Sequence, residues 1–148
     1  MKRPAVVFLA GVVAAICTGE VIAQSGPIAA RKAMMKQNND NAIAMVKVMR
    51  GLSPFDPAQI DAAFAQWADT AEKILGLFPD NSKTGDKTRA SSKIWLNRKE
   101  FDAKAAAFGK ALADNRDKAK TSVAGLRAVI PAVAEACDNC HKDYRVSE

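Results

Sequence analysis

The residues best suited to chemistry stand together near the end of the chain, in the stretch Cys137-Asp138-Asn139-Cys140-His141. Two cysteines three positions apart on a helix lie on one face, so their thiols can reach two vinyl groups of a single porphyrin. The histidine that follows can ligate the iron from one face of that porphyrin. This Cys-x-x-Cys-His pattern indicates attachment of a c-type haem. We expect one covalently bound haem c, with Cys137 and Cys140 as its thioethers and His141 as an axial iron ligand.

Three other uses of the motif compete with haem attachment. A simple disulfide between Cys137 and Cys140 would leave the adjacent histidine without a role. Half of a closed zinc site would need a second Cys/His pair, but the sequence has one histidine and only one further cysteine, Cys17. A thioredoxin-like redox motif would need a strand before the helix, and no strand pattern surrounds this stretch. Haem attachment alone uses all three side chains.

The first 23 residues are organised like an export signal. Lys2 and Arg3 precede an apolar run that ends at Cys17, and small or medium residues up to Ala23 offer a cleavage site. The run is too short to span a membrane, although a retained anchor is the alternative. We expect cleavage after Ala23, a periplasmic location, and a mature form of one domain, residues 24–148, without a membrane span.

The charge balance is mildly basic, with 22 Lys and Arg against 16 Asp and Glu and a formal net charge of +6. The excess is spread along the sequence, and no dense basic cluster with interleaved aromatic residues occurs, which argues against nucleic-acid binding. A mild basic excess favours docking of acidic proteins, here redox partners in the periplasm. Lys36, Lys142 and Arg145 are candidates to frame the haem edge and steer such partners, with ordinary solvated charge as the alternative.

The rest of the predicted mature chain is helical in pattern, because alanine is abundant, Gly and Pro are sparse, and apolar residues recur three and four positions apart. The pattern predicts helices over about 27–50, 57–78, 92–112 and 122–144. Residues 81–90 indicate an exposed crossover loop, and 114–120 a charged connection or a frayed helix end. These elements predict an all-α protein, an antiparallel up-down-up-down four-helix bundle with the haem on its C-terminal helix.

Caps and helix breakers refine these boundaries. Ser25 and Asp56 are predicted N-caps, and Gly51 fits the end of the first helix. The polar run 38–41 is unusual for a helix middle and predicts a local distortion. Pro131 predicts a bend in the last helix, and the alternative is that a separate helix starts there.

The second axial position decides the chemistry of the iron, and a second histidine ligand is excluded within one chain. The methionines of the predicted mature form all fall on the first helix: Met34, Met35, Met45 and Met49. Met35 belongs to a seven-residue repeat (28, 35, 42, 49) and lies near the helix end that a bundle places beside His141. We expect Met35 rather than Met34 as the second ligand, with packing over a five-coordinate iron as the alternative. Met45 and Met49 fit core positions.

Arg31 precedes Met35 by one helical turn. A guanidinium can form paired hydrogen bonds with a carboxylate, so Arg31 is a candidate contact for a haem propionate. The alternative is an ordinary arginine in solvent.

Over its whole predicted mature length the sequence resembles the class II c-type cytochromes, the cytochrome c′ group. The C-terminal haem motif and the spacing from Arg31 to Met35 carry the resemblance. Three further stretches are similar to the low-spin, methionine-ligated branch: Leu77-Phe78-Pro79-Asp80, Lys93-Ile94-Trp95 and Phe101-Asp102-Ala103-Lys104. The resemblance implies that Met35 is the sixth ligand, that the protein carries electrons in the periplasm, and that it is a monomer or a homodimer. Asn39 departs from the glycine expected in low-spin relatives.

The leading hypothesis is therefore a monohaem electron carrier rather than an enzyme, since no catalytic constellation is present. A high-spin member of the same group would instead leave one iron face open and bind NO or CO. The third hypothesis is a haem-free helical interaction protein.

Overall fold

Residues 26–147 are the part of the chain that the computed structural model describes, and they form a helical bundle. Its α-helices are α1 (Pro27–Met49), α2 (Pro57–Lys73), the short α3 (Lys93–Leu96), α4 (Arg98–Ala119) and α5 (Val123–Tyr144). Two 3₁₀ turns, Ile74–Leu77 and Asp80–Ser82, follow α2. The four long helices pack in the ring order α1, α2, α4, α5, which is the predicted four-helix bundle.

The predicted export signal, residues 1–23 with cleavage after Ala23, lies outside the described residues. Within 26–147, no helix has the length and apolarity needed to cross a bilayer.

Two predicted helix caps are confirmed. The Asp56 carboxylate accepts a hydrogen bond of 2.9 Å from the backbone N–H of Ala58, which satisfies a free donor at the start of α2. Gly51 follows α1 with a φ of 74°, and its N–H donates to the carbonyl of Val48. A left-handed residue is easiest for glycine, so Gly51 ends the helix without strain.

The predicted N-cap of α1 is wrong, because Gly26 occupies that position in place of Ser25. Glycine offers no side-chain acceptor to the first turn. Pro27 at the first helical position removes one of the N–H groups that would need a partner.

The predicted distortion over 38–41 is also wrong, because α1 runs through it unbroken. The polar side chains bind α2 instead of competing with the helix. The Asn38 side-chain oxygen accepts from Gln66 and Thr70, each at 3.0 Å, and its backbone oxygen accepts from the Trp67 indole at 3.1 Å. Asn41 donates to the other end of the Gln66 amide at 2.8 Å. The run is therefore an inter-helix hydrogen-bond network.

The third predicted helix differs from the structure at both ends. It is split at Asn97 into α3 and α4, and α4 continues to Ala119, beyond the expected end at 112. The segment expected to be a charged connection is helical because Ala119 is fully buried and Arg116 binds Asp61 of α2. In contrast, α5 continues through Pro131, so the alternative of a separate helix starting there is not observed.

The ion pair between Arg116 and Asp61 gives a testable pH dependence. Both guanidinium contacts are short, at 2.8 and 2.9 Å, and the hydrogen bond from Arg116 is the main reason that the pKa of Asp61 is lowered to about 2. A depressed carboxyl pKa adds stability above the unfolded-state value near 3.8, and this stability is lost as pH falls toward 2. In Asp61→Asn, we expect unfolding to take up about one proton fewer across this window.

Urea unfolding of the wild type and of Asp61→Asn between pH 2 and 6 measures this difference. Asp69→Asn is the matched control, because Asp69 also lies on α2 in a surface ion pair, with Lys73 at 2.7 Å. Parallel stability curves for the wild type and Asp61→Asn would contradict the prediction.

Two groups of buried side chains form the core. The larger one lies between α1, α2, α4 and α5 and includes Met45, Phe64 and Leu126. The smaller one lies against the last turns of α5 and contains a series of edge-to-face aromatic rings. In order, the rings are Trp95, Phe78, Phe101 and Tyr144, with centroids 5.0 to 5.8 Å apart. They fix the helix end that carries the Cys-x-x-Cys-His motif.

The seven-residue repeat proposed for α1 is only partly buried. Ile28 is in the core, but Met45 and Val48 replace the expected positions 42 and 49 as the most buried residues of the second half. Ala42 is exposed because it lines the large cavity described below.

Candidate haem-binding site

A cavity of about 770 Å³ lies inside the bundle, walled mainly by α1, α4, α5 and the chain before α3. The α5 wall contains Cys137, Cys140 and His141, and the α1 wall contains Arg31 and Met35. The structure therefore brings all five predicted site residues to one space. Apolar side chains line much of the remaining wall: Ile74, Phe78, Ile94, Phe101, Phe108, Ile130 and Val133. Pockets for cofactors are roughly 300–1,000 Å³ and mostly apolar, so size and lining fit a porphyrin.

The two cysteines are half-buried free thiols on one face of α5. Burial is the main cause that raises the pKa of Cys137 to about 11, and the charge of Asp138 adds to it. Burial also raises the pKa of Cys140. Catalytic redox pairs depend on a lowered thiol pKa, so the thioredoxin-like alternative is disfavoured. Protonated, part-buried thiols at i and i+3 fit two attachment points for an apolar macrocycle.

His141 is partly buried in the same wall. Burial is the main cause that lowers its pKa, and the positive charge of Arg145 lowers it further. Asp138 acts in the opposite direction. The neutral imidazole is the form that binds a metal, so the surroundings of His141 favour the ligating state.

Arg31 is only 4% exposed, so the alternative of a solvated surface arginine is wrong. Its Nη1 donates to the carbonyl of Leu77 at 2.8 Å and to Oγ of Ser82 at 2.9 Å. Its Nη2 donates to the carbonyl of Ser82 and to Oγ1 of Thr88, both at 2.8 Å. The guanidinium also lies over the Phe78 ring, 4.6 Å from its centroid. Both Nη atoms of Arg31 thus donate to the chain after α2. A haem propionate could then interact only with the Nε–H group and with the positive charge of the guanidinium.

The segment predicted as an exposed crossover loop is therefore anchored on both sides. Arg31 ties Ser82 and Thr88 to α1, and Ser82 is buried. Farther along, the N–H of Ser91 donates to the carbonyl of Tyr144, and Ala90 forms a bridge with Arg145. The segment joins the helix that carries Met35 to the end of the helix that carries His141. Sequence reasoning missed Ser82 and Thr88 because their partner lies more than 50 positions away.

The methionines of α1 differ in whether their side chains line the cavity. Met35 is half-buried and lines the cavity, and its sulfur lies 4.0 Å from the side-chain nitrogen of Asn38. Met34 and Met35 both pack against the smaller core, but Met34 does not line the cavity. Met45 is 1% exposed and fills the larger core, as expected, although it also reaches the cavity wall.

Although the positive charge is spread along the sequence, the fold brings several cations to the cavity. Of residues 26–147, seven cationic residues line it, against the single carboxylate of Asp138. They come from α1, the chain before α3, α4 and the end of α5, so their proximity is a product of the fold. Of the three cations predicted to frame the haem edge, Lys36 and Arg145 line the cavity and Lys142 does not.

Known proteins provide an independent comparison. The family model described as Cytochrome C′ matches residues 26–145. Cytochrome c-556 of Rhodopseudomonas palustris is 35% identical over 132 residues, covering 86% of this chain and 88% of the relative. Cytochrome c′ of the same organism is 34% identical over 131 residues, with coverages of 88% and 89%.

Solved structures agree with these sequence matches. Cytochrome c′ from Rhodopseudomonas palustris superposes with a TM-score of 0.78 at 34% identity, covering 84% of this chain and 99% of the other. The NMR-validated structural model of oxidized cytochrome c556 from that organism gives a TM-score of 0.76 at 33% identity, with coverages of 82% and 97%. With its Cys-x-x-Cys-His motif in place, the chain belongs to the cytochrome c′ family of class II cytochromes, whose cofactor is a covalently bound haem c.

Proposed function

We propose that this chain is a periplasmic monohaem electron carrier in which His141 and Met35 are the two axial ligands of the iron. One observation carries the proposal: Met35 of α1 and His141 of α5 line the same cavity. Haem c supplies a one-electron ferric/ferrous couple when bound. A thioether opposite a histidine raises the reduction potential relative to a second histidine, which suits electron transfer.

Each site residue has a distinct part in this proposal. Cys137 and Cys140 would tether the macrocycle to α5, and His141 would offer a neutral imidazole to the iron. Met35 would supply the second iron ligand and leave no open site for a substrate, which favours electron transfer over enzymatic turnover. The apolar walls exclude water, which limits the reorganisation that accompanies a change of charge.

Asn38 supports the assignment of Met35 over Met34. Its side-chain oxygen is occupied by donors from Gln66 and Thr70, so its amide N–H₂ is directed to the Met35 sulfur at 4.0 Å. A fixed polar neighbour restrains a flexible thioether. The relatives named cytochrome c-556 from Rhodopseudomonas and Agrobacterium agree with a carrier role for this chain.

The optical spectrum of the protein, exported from cells that attach haem c, tests the proposal. We expect low-spin spectra in both oxidation states, a weak long-wavelength sulfur-to-iron band in the ferric form, and no reaction of the ferrous form with carbon monoxide. A high-spin spectrum that shifts at once with carbon monoxide would identify a gas-binding member with His141 as sole axial ligand. A mass equal to that of the bare polypeptide would identify a haem-free protein.

A further inference from the structure

We propose that the cationic residues around the cavity form a docking surface for the acidic face of a redox protein. This surface, the basic rim, consists of Lys32, Lys36, Lys87, Arg89, Lys104 and Arg145. The inference rests on the proposed electron-carrier function and names the class of partner that this function requires.

The first observation is the local excess of charge. The whole chain has 22 basic and 16 acidic residues, which is a modest ratio. The rim and Arg31 together place seven cations around a cavity whose only acidic lining residue within 26–147 is Asp138, and the propionates of a bound haem would offset part of this excess. Charges of one sign around a low-dielectric cleft focus the field outward and raise the rate of encounter with an oppositely charged partner.

The second observation is which of these charges remain uncompensated. Lys36 is paired with Asp40 at 2.6 Å, and Lys104 with Asp143 at 2.8 Å, so these two contribute little net charge. Lys32 donates to the backbone carbonyl of Asp86 at 2.9 Å, which leaves its charge in place.

Lys87 and Arg145 are also exposed, and within 26–147 no carboxylate forms an ion pair with either of them. Three free positive charges therefore converge from α1, from the segment before α3, and from the residue after α5.

The third observation is that the segment carrying Lys87 is held in place. Lys87 has a φ of 51° and follows Asp86 with a φ of 47°, a left-handed backbone conformation that such residues rarely adopt. The Lys32 side chain binds this turn from α1, and Arg31 anchors Thr88 directly after it. A cation on a fixed turn loses less entropy on docking than one on a mobile loop.

The rim suits an acidic protein better than a compact anion. Arg31 is buried and already bonded to the chain after α2, while Lys32, Lys87 and Arg145 are exposed and belong to separate segments. Separate exposed cations give steering and orientation to a broad partner surface. A small anion would instead need donors that converge on one point.

Electron transfer from a reduced, acidic plant-type ferredoxin to the ferric holoprotein tests the proposal by stopped-flow spectroscopy. We expect Lys32→Glu and Lys87→Glu each to lower the second-order rate constant about threefold at low ionic strength, and the double variant about tenfold. Lys118→Glu is the matched control, because it makes the same change in net charge. It lies on the last turn of α4, beside the start of α5, and α5 runs roughly 27 Å from its first residue to His141.

In roughly 0.5 M salt the differences should disappear, because screening then acts over only a few ångströms. Equal losses in Lys118→Glu and the rim variants would overturn the proposal, since net charge alone would then explain them. No loss in the double variant would also overturn it.

Binding measured without electron transfer keeps this proposal separate from the proposed function. Calorimetric titration of the ferric holoproteins with oxidised ferredoxin should rank the affinities of the wild type and the variants in the same order as their rate constants. If carbon monoxide binding refutes the carrier function while the rim variants still lose ferredoxin affinity, the docking surface stands. Rim-dependent binding to vesicles of half anionic lipid, with no rim-dependent binding to ferredoxin, would overturn it in favour of a membrane surface.

Discussion

Replacing Met35 by alanine is expected to convert a haem protein that does not react with carbon monoxide into one that binds it as soon as the iron is reduced. Of the adjacent Met34 and Met35, only Met35 lines the cavity with His141. Alanine has no donor atom to offer to the iron. The sulfur-to-iron band should vanish, and the reduction potential should fall because the thioether is lost.

The size of the effect follows from how often Met35 leaves the iron. The apparent affinity for an external ligand scales with the fraction of molecules whose binding position is open. If Met35 occupies the position about 99% of the time, its removal tightens carbon monoxide binding about 100-fold.

Met34→Ala is the matched control, because Met34 precedes Met35 on the same helix and packs against the smaller core. It should keep the band and remain inert to carbon monoxide. Equal carbon monoxide affinity in wild type and Met35→Ala, with the fold verified by circular dichroism, would make Met35 a packing residue and favour a five-coordinate iron.

The haem motif and the bundle were predictable from sequence because both are local patterns. Cys137, Cys140 and His141 lie within five consecutive positions, so their arrangement on α5 follows from helix geometry alone. Apolar spacing of three and four residues likewise identifies the long helices. Asp56 begins α2 through its side-chain acceptor, and Gly51 ends α1 through its left-handed backbone.

What the sequence could not supply are contacts between distant segments. No proline or glycine marks the break between α3 and α4 at Asn97. The extension of α4 to Ala119 depends on contacts with α2 and the core. The polar run at 38–41 is unfavourable for an isolated helix. In the fold, hydrogen bonds from Gln66 and Thr70 to the Asn38 side chain offset this. Propensity is a weak prior when tertiary hydrogen bonds are available.

The position of Arg31 is the clearest case of this kind and leads to the second large effect. Arg31→Leu should lower the free energy of unfolding by about 3 kcal/mol or more, because hydrogen bonds from a buried charged donor are worth roughly 1.5–3 kcal/mol each and are not fully additive. The loss leaves the carbonyls of Leu77 and Ser82 without their arginine donor. Urea unfolding of the holoprotein measures it, with Lys47→Leu, on the same helix and exposed, as the control.

Arg31→Lys separates the two roles that Arg31 can have. Lysine keeps the positive charge, but a single ammonium cannot span Leu77, Ser82 and Thr88 as the planar guanidinium does. Stability should therefore fall in both variants, because the anchoring of the segment before α3 is weakened in each.

The reduction potential should respond differently, because a buried positive charge beside the cavity favours the ferrous state. It should fall in Arg31→Leu and stay near the wild-type value in Arg31→Lys if the charge acts on a haem propionate or on the iron. If both variants lose stability and neither shifts the potential, Arg31 anchors the chain and has no electrostatic effect on the haem. A stability change no larger than that of Lys47→Leu would contradict the anchoring role itself.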